Sequence, residues 1–232
     1  MRTLASTFGT RRRRARLPAP AHARLRMRAA ARTPSSRSRA AFAIGAVIAV
    51  GCVHEPLPFV CADAAVGELV ITELRGPQST PNSLPQWIEI ANVSDHAIAL
   101  DGLHLRLSYR DGSGARDMVI RRERSIAAGE YFVFAFVPEN QVPDGMDYGL
   151  AGEYDGDLYG GGVLLLESCD EIIDKLDWTE LPTNGTWALG GTPSADANDM
   201  DAAWCADEHE PDGAMVELGA PGTPGEANPP CP

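Results

Sequence analysis

The stretch LHLRLSYRDGSGARDMVI, residues 103–120, decides the fold class of this protein. The odd positions from 103 to 109 hold three leucines and Tyr109, and the even positions between them are polar. In an extended chain such alternation places the apolar side chains on one face. DGSG at 111–114 is a turn sequence, and DMVI at 117–120 suits a returning strand. The stretch therefore predicts a β-hairpin with one face against a core.

Other segments on both sides of this hairpin also have strand character. QWIEIAN (86–92) alternates and predicts one buried face, whereas EYFVFAFV (130–137) predicts a strand buried on both faces. The remaining strand-like stretches are ELVITEL (68–74), VLLLES (163–168) paired with EIIDKLDW (171–178), and TWALG (186–190), expected to be the last strand. No stretch of ten residues after residue 66 has a helical period. The sequence therefore predicts an all-β fold, a two-sheet β-sandwich.

The charges divide the chain into two parts. The first 51 residues contain twelve arginines and no acidic residue, whereas residues 52–232 hold eight basic and all 32 acidic residues, a net charge of −24. The first part ends in the apolar run AAFAIGAVIAVG (40–51), shorter than the ~20 residues that a membrane-spanning helix needs. Residues 1–51 are therefore predicted to be a signal segment for export, of conventional length if translation starts at Met27. The negative charge of the second part opposes nucleic acid as a partner.

The residues before Cys52 indicate how export ends. Ile48-Ala49-Val50-Gly51 followed by Cys52 resembles the lipobox of bacterial lipoproteins, in which the cysteine is acylated and becomes the mature N-terminus. This predicts a lipid-anchored protein of the outer membrane or cell surface, with residues 52–66 as a short tether. Small residues at this place also suit ordinary signal peptidase, so a secreted protein is the alternative.

The order of the strand segments resembles the lamin-tail domain, an immunoglobulin-like family, as it occurs in bacterial exported proteins. The resemblance rests on LVITEL (69–74), WIEIANVSDHAIALDGLHL (87–105), IAAGEYFVFA (126–135), GGGVLLLESCDEIIDKLDW (160–178), TWAL (186–189), AAWC (202–205) and GTPGEAN (222–228). It implies an immunoglobulin-like β-sandwich over residues 67–228, followed by a short tail at 229–232. It also implies a binding or scaffolding role without catalytic residues. Residues 138–159 depart from the family pattern and resemble an insertion.

Four cysteines remain if Cys52 carries lipid, and an oxidising compartment makes disulfides the expected state. They are Cys61, Cys169, Cys205 and Cys231, and they allow three pairings. We expect Cys61–Cys231, which would join the two ends of the domain, together with Cys169–Cys205. No C-x-x-C pair is present, so a zinc site is disfavoured.

Catalytic motifs are missing from the sequence. The four histidines after residue 51 are scattered, and no HExxH, G-x-S-x-G or P-loop pattern occurs. We therefore expect a non-catalytic binding or structural module of the cell envelope that needs no cofactor. Its expected partner is an unknown envelope protein or polysaccharide. A hydrolase with unrecognised chemistry remains the second alternative.

Acidic loops are candidates for calcium, which prefers six to eight oxygen ligands. One loop is EYDGDLYGGG (153–162) and the other DANDMD (196–201), and neither has the spacing of an EF-hand. The residues concerned are Asp155, Asp157, Asp196, Asn198, Asp199 and Asp201. They predict a calcium-dependent adhesin or accessory subunit as the first alternative function, with solvated acidic loops as the simpler interpretation.

Six of the eight basic residues after residue 51 lie between positions 106 and 124. An anion-binding patch for phosphate, sulfate or uronate groups is one interpretation. The other is local neutralisation by Asp111, Asp117 and Glu123. The patch residues are Arg106, Arg110, Arg121, Arg122 and Arg124, with Arg116 between them.

The four tryptophans could stack on sugar rings or pack in the core. They are Trp87, Trp178, Trp187 and Trp204. Each lies in a stretch that carries the family resemblance, so we expect core packing for at least three of them.

Overall fold

A computed structural model describes residues 59–79, 84–208 and 221–232. The predicted signal segment, Met27, Cys52 and the rest of the tether up to residue 58 lie outside the described residues. The strands are β1 Leu69–Arg75, β2 Trp87–Asn92, β3 Ile98–Ala99, β4 Leu103–Ser108, β5 Arg116–Val119, β6 Ser125–Ile126, β7 Tyr131–Ala135, β8 Tyr148–Gly149, β9 Gly162–Ser168, β10 Glu171–Trp178, β11 Thr186–Leu189 and β12 Trp204–Asp207. One short helix, α1, covers Ala195–Asn198, and 3₁₀ turns cover Glu139–Gln141 and Asp201–Ala203.

The strands form two main sheets. The first has the order β12-β11-β1-β2-β7-β8, and only β7 and β8 pair in parallel. The second has the order β10-β9-β4-β5. A small third sheet pairs β3 with β6. The all-β sandwich predicted from strand spacing is confirmed. The prediction that TWALG is the last strand is wrong, because β12 follows it and extends the first sheet.

The leucine alternation of β4 builds the centre of the second sheet. Leu103, Leu105 and Leu107 are fully buried, and Leu105 and Leu107 lie opposite Leu166 and Leu164 of β9. Such cross-strand apolar pairs stabilise an antiparallel sheet. The prediction that Tyr109 shares this buried face is wrong. Tyr109 follows the end of β4, is 47% exposed and stacks on Tyr159 with ring centroids 4.0 Å apart.

Strand β2 is buried on both faces, contrary to the prediction of one buried face. Ile88 and Ile90 belong to the main core, whereas Trp87 and Glu89 lie on the other side of the first sheet and are also fully buried. The C-terminal strap, residues 221–232, explains this burial. The backbone N–H of Gly225 in the strap donates to Glu89 at 2.7 Å.

The described cysteines form two disulfides, but not in the predicted pairs. Cys61 is bonded to Cys169 and Cys205 to Cys231, with Cα–Cα distances of 5.5 and 5.8 Å. The prediction that a disulfide joins the two ends of the domain is wrong. Cys61 lies against the β9–β10 turn, and Cys231 packs beside Gly190 next to the unpredicted strand β12.

Candidate functional site

A groove of about 390 Å³ lies beside the end of β10. Its walls come from β10 and the two residues after it, from Trp187 of β11, from the end of α1, and from Asp201 and Trp204. The volume lies within the range of small-ligand sites, ~300–1,000 Å³. The groove is the strongest candidate for a binding site in the described part of the chain, because it gathers three of the four tryptophans and three of the predicted calcium residues.

The tryptophans form the apolar part of the groove. Trp178 and Trp204 are almost fully buried, and their indole N–H groups donate to the carbonyls of Tyr159 and Asn198, each at 2.9 Å. Trp187 is partly exposed, and its ring lies 6.4 Å from that of Trp204 in a nearly parallel stack. Core packing of at least three tryptophans is confirmed for Trp87, Trp178 and Trp204. Trp187 is the one whose ring a ligand can reach.

Carboxylates dominate the polar rim of the groove. Arg110 and Lys175 both pair with Asp177, at 3.5 and 3.8 Å. Within the described ranges no cation lies within 4 Å of the carboxylates of three further lining residues. These are Glu180, Asp199 and Asp201. The rim therefore offers hydrogen-bond acceptors and negative charge to a ligand.

Below the groove, two side chains form hydrogen bonds with backbone groups of β1 where its pairing with β2 is irregular. The register of β1 against β2 shifts between Ile71 and Glu73. There, Asp174 accepts from the N–H of Ile71 at 2.7 Å, and the side-chain amide of Asn198 donates to its carbonyl at 2.8 Å. Burial raises the pKa of Asp174 to about 6. Asp174 and Asn198 therefore connect β10 and α1 to the first sheet.

The predicted calcium residues fall into two separate places. The side-chain amide of Asn198 donates to the carbonyl of Ile71 in β1, and Asp199 and Asp201 lie on the groove rim. Asp157 accepts a hydrogen bond from Gln86, in a loop region that it shares with Asp155. Asp196 lies in the first turn of α1. Among the described residues, no three His, Cys, Asp or Glu side chains come together in a way that could hold a metal ion.

The five patch arginines each face an acidic partner. Arg106 lies 3.9 Å from Glu167, Arg110 pairs with Asp177 as above, and Arg121 lies 2.8 Å from Glu153. Arg122 and Arg124 share Glu139, at 2.7 and 2.8 Å. The partners are thus other acids than Asp111, Asp117 and Glu123, which the sequence led us to expect. Asp117 instead contacts His104. Exposed pairs of this kind contribute little stability and can exchange.

His104 and Asp117 are the nearest approach to a catalytic pair in the described residues. Nδ1 of His104 lies 2.9 Å from a carboxylate oxygen of Asp117. Across the described ranges, neither ring nitrogen of His104 contacts a serine, threonine or cysteine that could act as a nucleophile. His54 and His209 lie outside the described residues.

The sequence did not indicate a buried pair of carboxylates, Glu73 and Glu89, on the face covered by the C-terminal strap. Glu73 accepts from the hydroxyl of Thr186, the indole N–H of Trp87 and the backbone N–H of Thr223, at 2.5, 2.9 and 3.1 Å. Glu89 accepts from the hydroxyl of Thr72 at 2.6 Å, besides the bond from the strap. Burial raises the pKa of both carboxyls, that of Glu89 most strongly. Through these hydrogen bonds the two carboxyl groups connect the first sheet to the strap that covers it.

Arg75 lies beside this pair. Its side chain is buried over the ring of Trp87, 4.9 Å from the centroid, and burial lowers its pKa to about 10. Its guanidinium has no hydrogen-bond acceptor within the part of the chain that the structure describes. The charge of Glu73 partly offsets this lowering of the Arg75 pKa.

No protein-family model matches the chain, and no curated protein sequence matches it either. In the described ranges no helix is long and apolar enough to cross a bilayer.

Proposed function

We propose that this protein is a non-catalytic binding or structural module of the bacterial cell envelope, of the lamin-tail type and immunoglobulin-like, exported and held at the membrane through lipid on Cys52. The observation that carries the proposal is the way the sandwich holds the end of its tether. The Cys61–Cys169 disulfide bonds the tether covalently to the β9–β10 turn, nine residues after the proposed anchor.

Non-covalent contacts support the same attachment. The hydroxyl of Ser168 donates to the carbonyl of Ala62 at 2.7 Å, and the N–H of Asp63 donates to the carbonyl of Ala99 at 3.3 Å. Gly102 has a positive φ of 83°, and a Cβ there would overlap the carbonyl of Val60. The tether is therefore held from Val60 to Asp63. Two disulfides also fit an oxidising, extracytoplasmic compartment.

Binding is the proposed activity, and the groove at Trp187 is its proposed surface. A rigid sandwich that presents a cavity of this size needs no moving part to hold a ligand. A reaction would need a nucleophile and a base that converge, and binding needs only the complementarity that the aromatic wall and acidic rim supply.

The anchor is tested by labelling cells with a radioactive fatty acid and separating membrane from soluble fractions. We expect the wild-type protein to carry label and to sediment with membranes, and Cys52→Ala to do neither. Equal labelling of the two proteins would contradict the proposal.

The groove is tested by chemical cross-linking in intact cells. We expect a Glu180→Lys/Asp201→Lys variant to lose cross-linked partners, because both changes reverse the charge of the rim. Asp95→Lys is the matched control, since Asp95 is fully exposed and away from the groove. A cross-linking pattern unchanged in the rim variant would contradict the groove as the binding surface.

A further inference from the structure

An apolar surface lies where the tether meets the sandwich. Phe59 is 82% exposed and Val60 is 40% exposed. A single exposed apolar residue is common on soluble proteins, whereas a contiguous apolar patch marks an interaction site. The residues that follow are held by the disulfide and hydrogen bonds described above. Phe59 therefore protrudes from a fixed place rather than from a free chain end.

The surface continues into a neighbouring groove of about 360 Å³. We call the apolar residues that line it the Phe59 surface, which consists of Phe59, Val60, Gly102, Val119 and Ile120. Asp101, His104, Arg121 and Glu123 complete the lining. The rim thus carries two carboxylates and one guanidinium beside the apolar residues.

Arg121 lines the same groove. Its side chain is 54% exposed and donates two hydrogen bonds to Glu153, at 2.8 and 3.1 Å. The guanidinium N–H groups that do not contact Glu153 can donate to lipid phosphates.

The proposed anchor limits how far this surface can lie from a membrane. Phe59 lies only seven positions after Cys52 in the sequence. A fully extended chain spans at most ~3.3–3.6 Å per residue, so Phe59 lies within about 25 Å of the acylated cysteine. That distance is less than the diameter of a small domain. The Phe59 surface is therefore on the membrane-proximal side of an anchored protein.

We propose that the Phe59 surface docks on the phospholipid bilayer, with Phe59 and Val60 inserted at the level of the headgroups and acyl-chain boundary. The proposal rests on the anchor of the proposed function and extends it. The anchor alone would leave the sandwich free to turn on its tether. Docking would fix the orientation of the sandwich, so that the sandwich always presents the same side to its binding partner.

The experiment uses the full-length acylated protein in vesicles of phosphatidylethanolamine and phosphatidylglycerol. A photoreactive benzophenone amino acid is placed at Glu123, an exposed residue of the docking groove, or at Tyr109. Tyr109 is the matched control, because it is exposed at the other end of β4, about 20 Å from Gly102 along the strand. The anchor alone keeps Glu123 near the membrane, because Glu123 lines the same groove as Phe59. A Phe59→Ser/Val60→Ser variant keeps the anchor, so its Glu123 adduct separates docking from tethering.

We expect about tenfold more lipid adduct at Glu123 than at Tyr109, in line with the loss of water contact by one aromatic side chain. A Phe59→Ser/Val60→Ser variant should lower the Glu123 adduct to the Tyr109 level while its melting temperature stays unchanged. Equal adducts at the two positions, or an adduct at Glu123 that survives the double substitution, would overturn docking and leave the anchor intact. A mass spectrum without fatty acid on Cys52 would overturn the anchor and docking together.

Discussion

Removing the Cys61–Cys169 disulfide tests how the tether is held. The bond closes a loop with a sequence separation of 108, whereas Cys205–Cys231 closes one of 26. The loss of loop entropy from the unfolded chain gives about 4.8 kcal/mol for the first bond at 25 °C and about 3.5 kcal/mol for the second. The loops do not overlap in sequence, so the two effects should be nearly independent.

Urea unfolding of two double variants, followed by circular dichroism under oxidising conditions, measures both costs. We expect Cys61→Ser/Cys169→Ser to lower the free energy of unfolding by more than Cys205→Ser/Cys231→Ser, with a difference of about 1 kcal/mol. Because a domain of this size has a stability of about 5–15 kcal/mol, the first variant should remain folded but melt much earlier. An equal or smaller loss for the Cys61→Ser/Cys169→Ser variant would refute the loop-length reasoning. Peptide mapping that found Cys61 joined to Cys231 would refute the pairing itself.

Burial raises the pKa of Asp174 and of the carboxyl pair Glu73 and Glu89. The stability that these groups contribute is therefore complete below their unfolded pKa values, 3.8 for Asp174 and 4.5 for the two glutamates. It is lost as pH rises through their folded pKa values, about 6 for Asp174. We expect urea titrations to give a larger free energy of unfolding at about pH 5 than at about pH 8, and the opposite order would contradict this account. Asp174→Asn keeps an acceptor for the N–H of Ile71 and should stabilise the domain by up to about 3 kcal/mol at about pH 8, with no gain at about pH 4. Gly102→Ala should cost about 2 kcal/mol or more in thermal unfolding, because a left-handed φ and a clash with the tether act together. Gly112→Ala has a similar φ of 78° with open space around it and should cost about 1 kcal/mol, so equal losses would exclude the tether contact.

The strands that follow local periodicity could be predicted from the sequence. Leu103, Leu105 and Leu107 alternate with polar residues, and this alternation alone places them on one face. The same reasoning was wrong for Tyr109, since β4 ends at Ser108 and the side chain of Tyr109 stacks on Tyr159. It was also wrong for Glu89, since the segment that buries it is more than a hundred residues away in sequence and has no strand pattern.

The groove and the disulfides depend on contacts that no local pattern contains. Asn198 was predicted as a calcium ligand from its acidic neighbours, but its amide is used by the carbonyl of Ile71. Four cysteines allow three pairings, and the correct one depends on where Cys61 crosses the β9–β10 turn and on strand β12, which the sequence did not predict. The sequence predicted core packing for at least three of the four tryptophans without distinguishing them, and only its place in the groove wall sets Trp187 apart.

The mature N-terminus tests the central claim most directly. The protein purified from the membrane fraction, digested and analysed by mass spectrometry, should give an N-terminal peptide that begins at Cys52 and carries lipid on its thiol. An unmodified N-terminus, or one that begins at any other residue, would contradict the claim that this sandwich is a lipid-anchored module of the cell envelope.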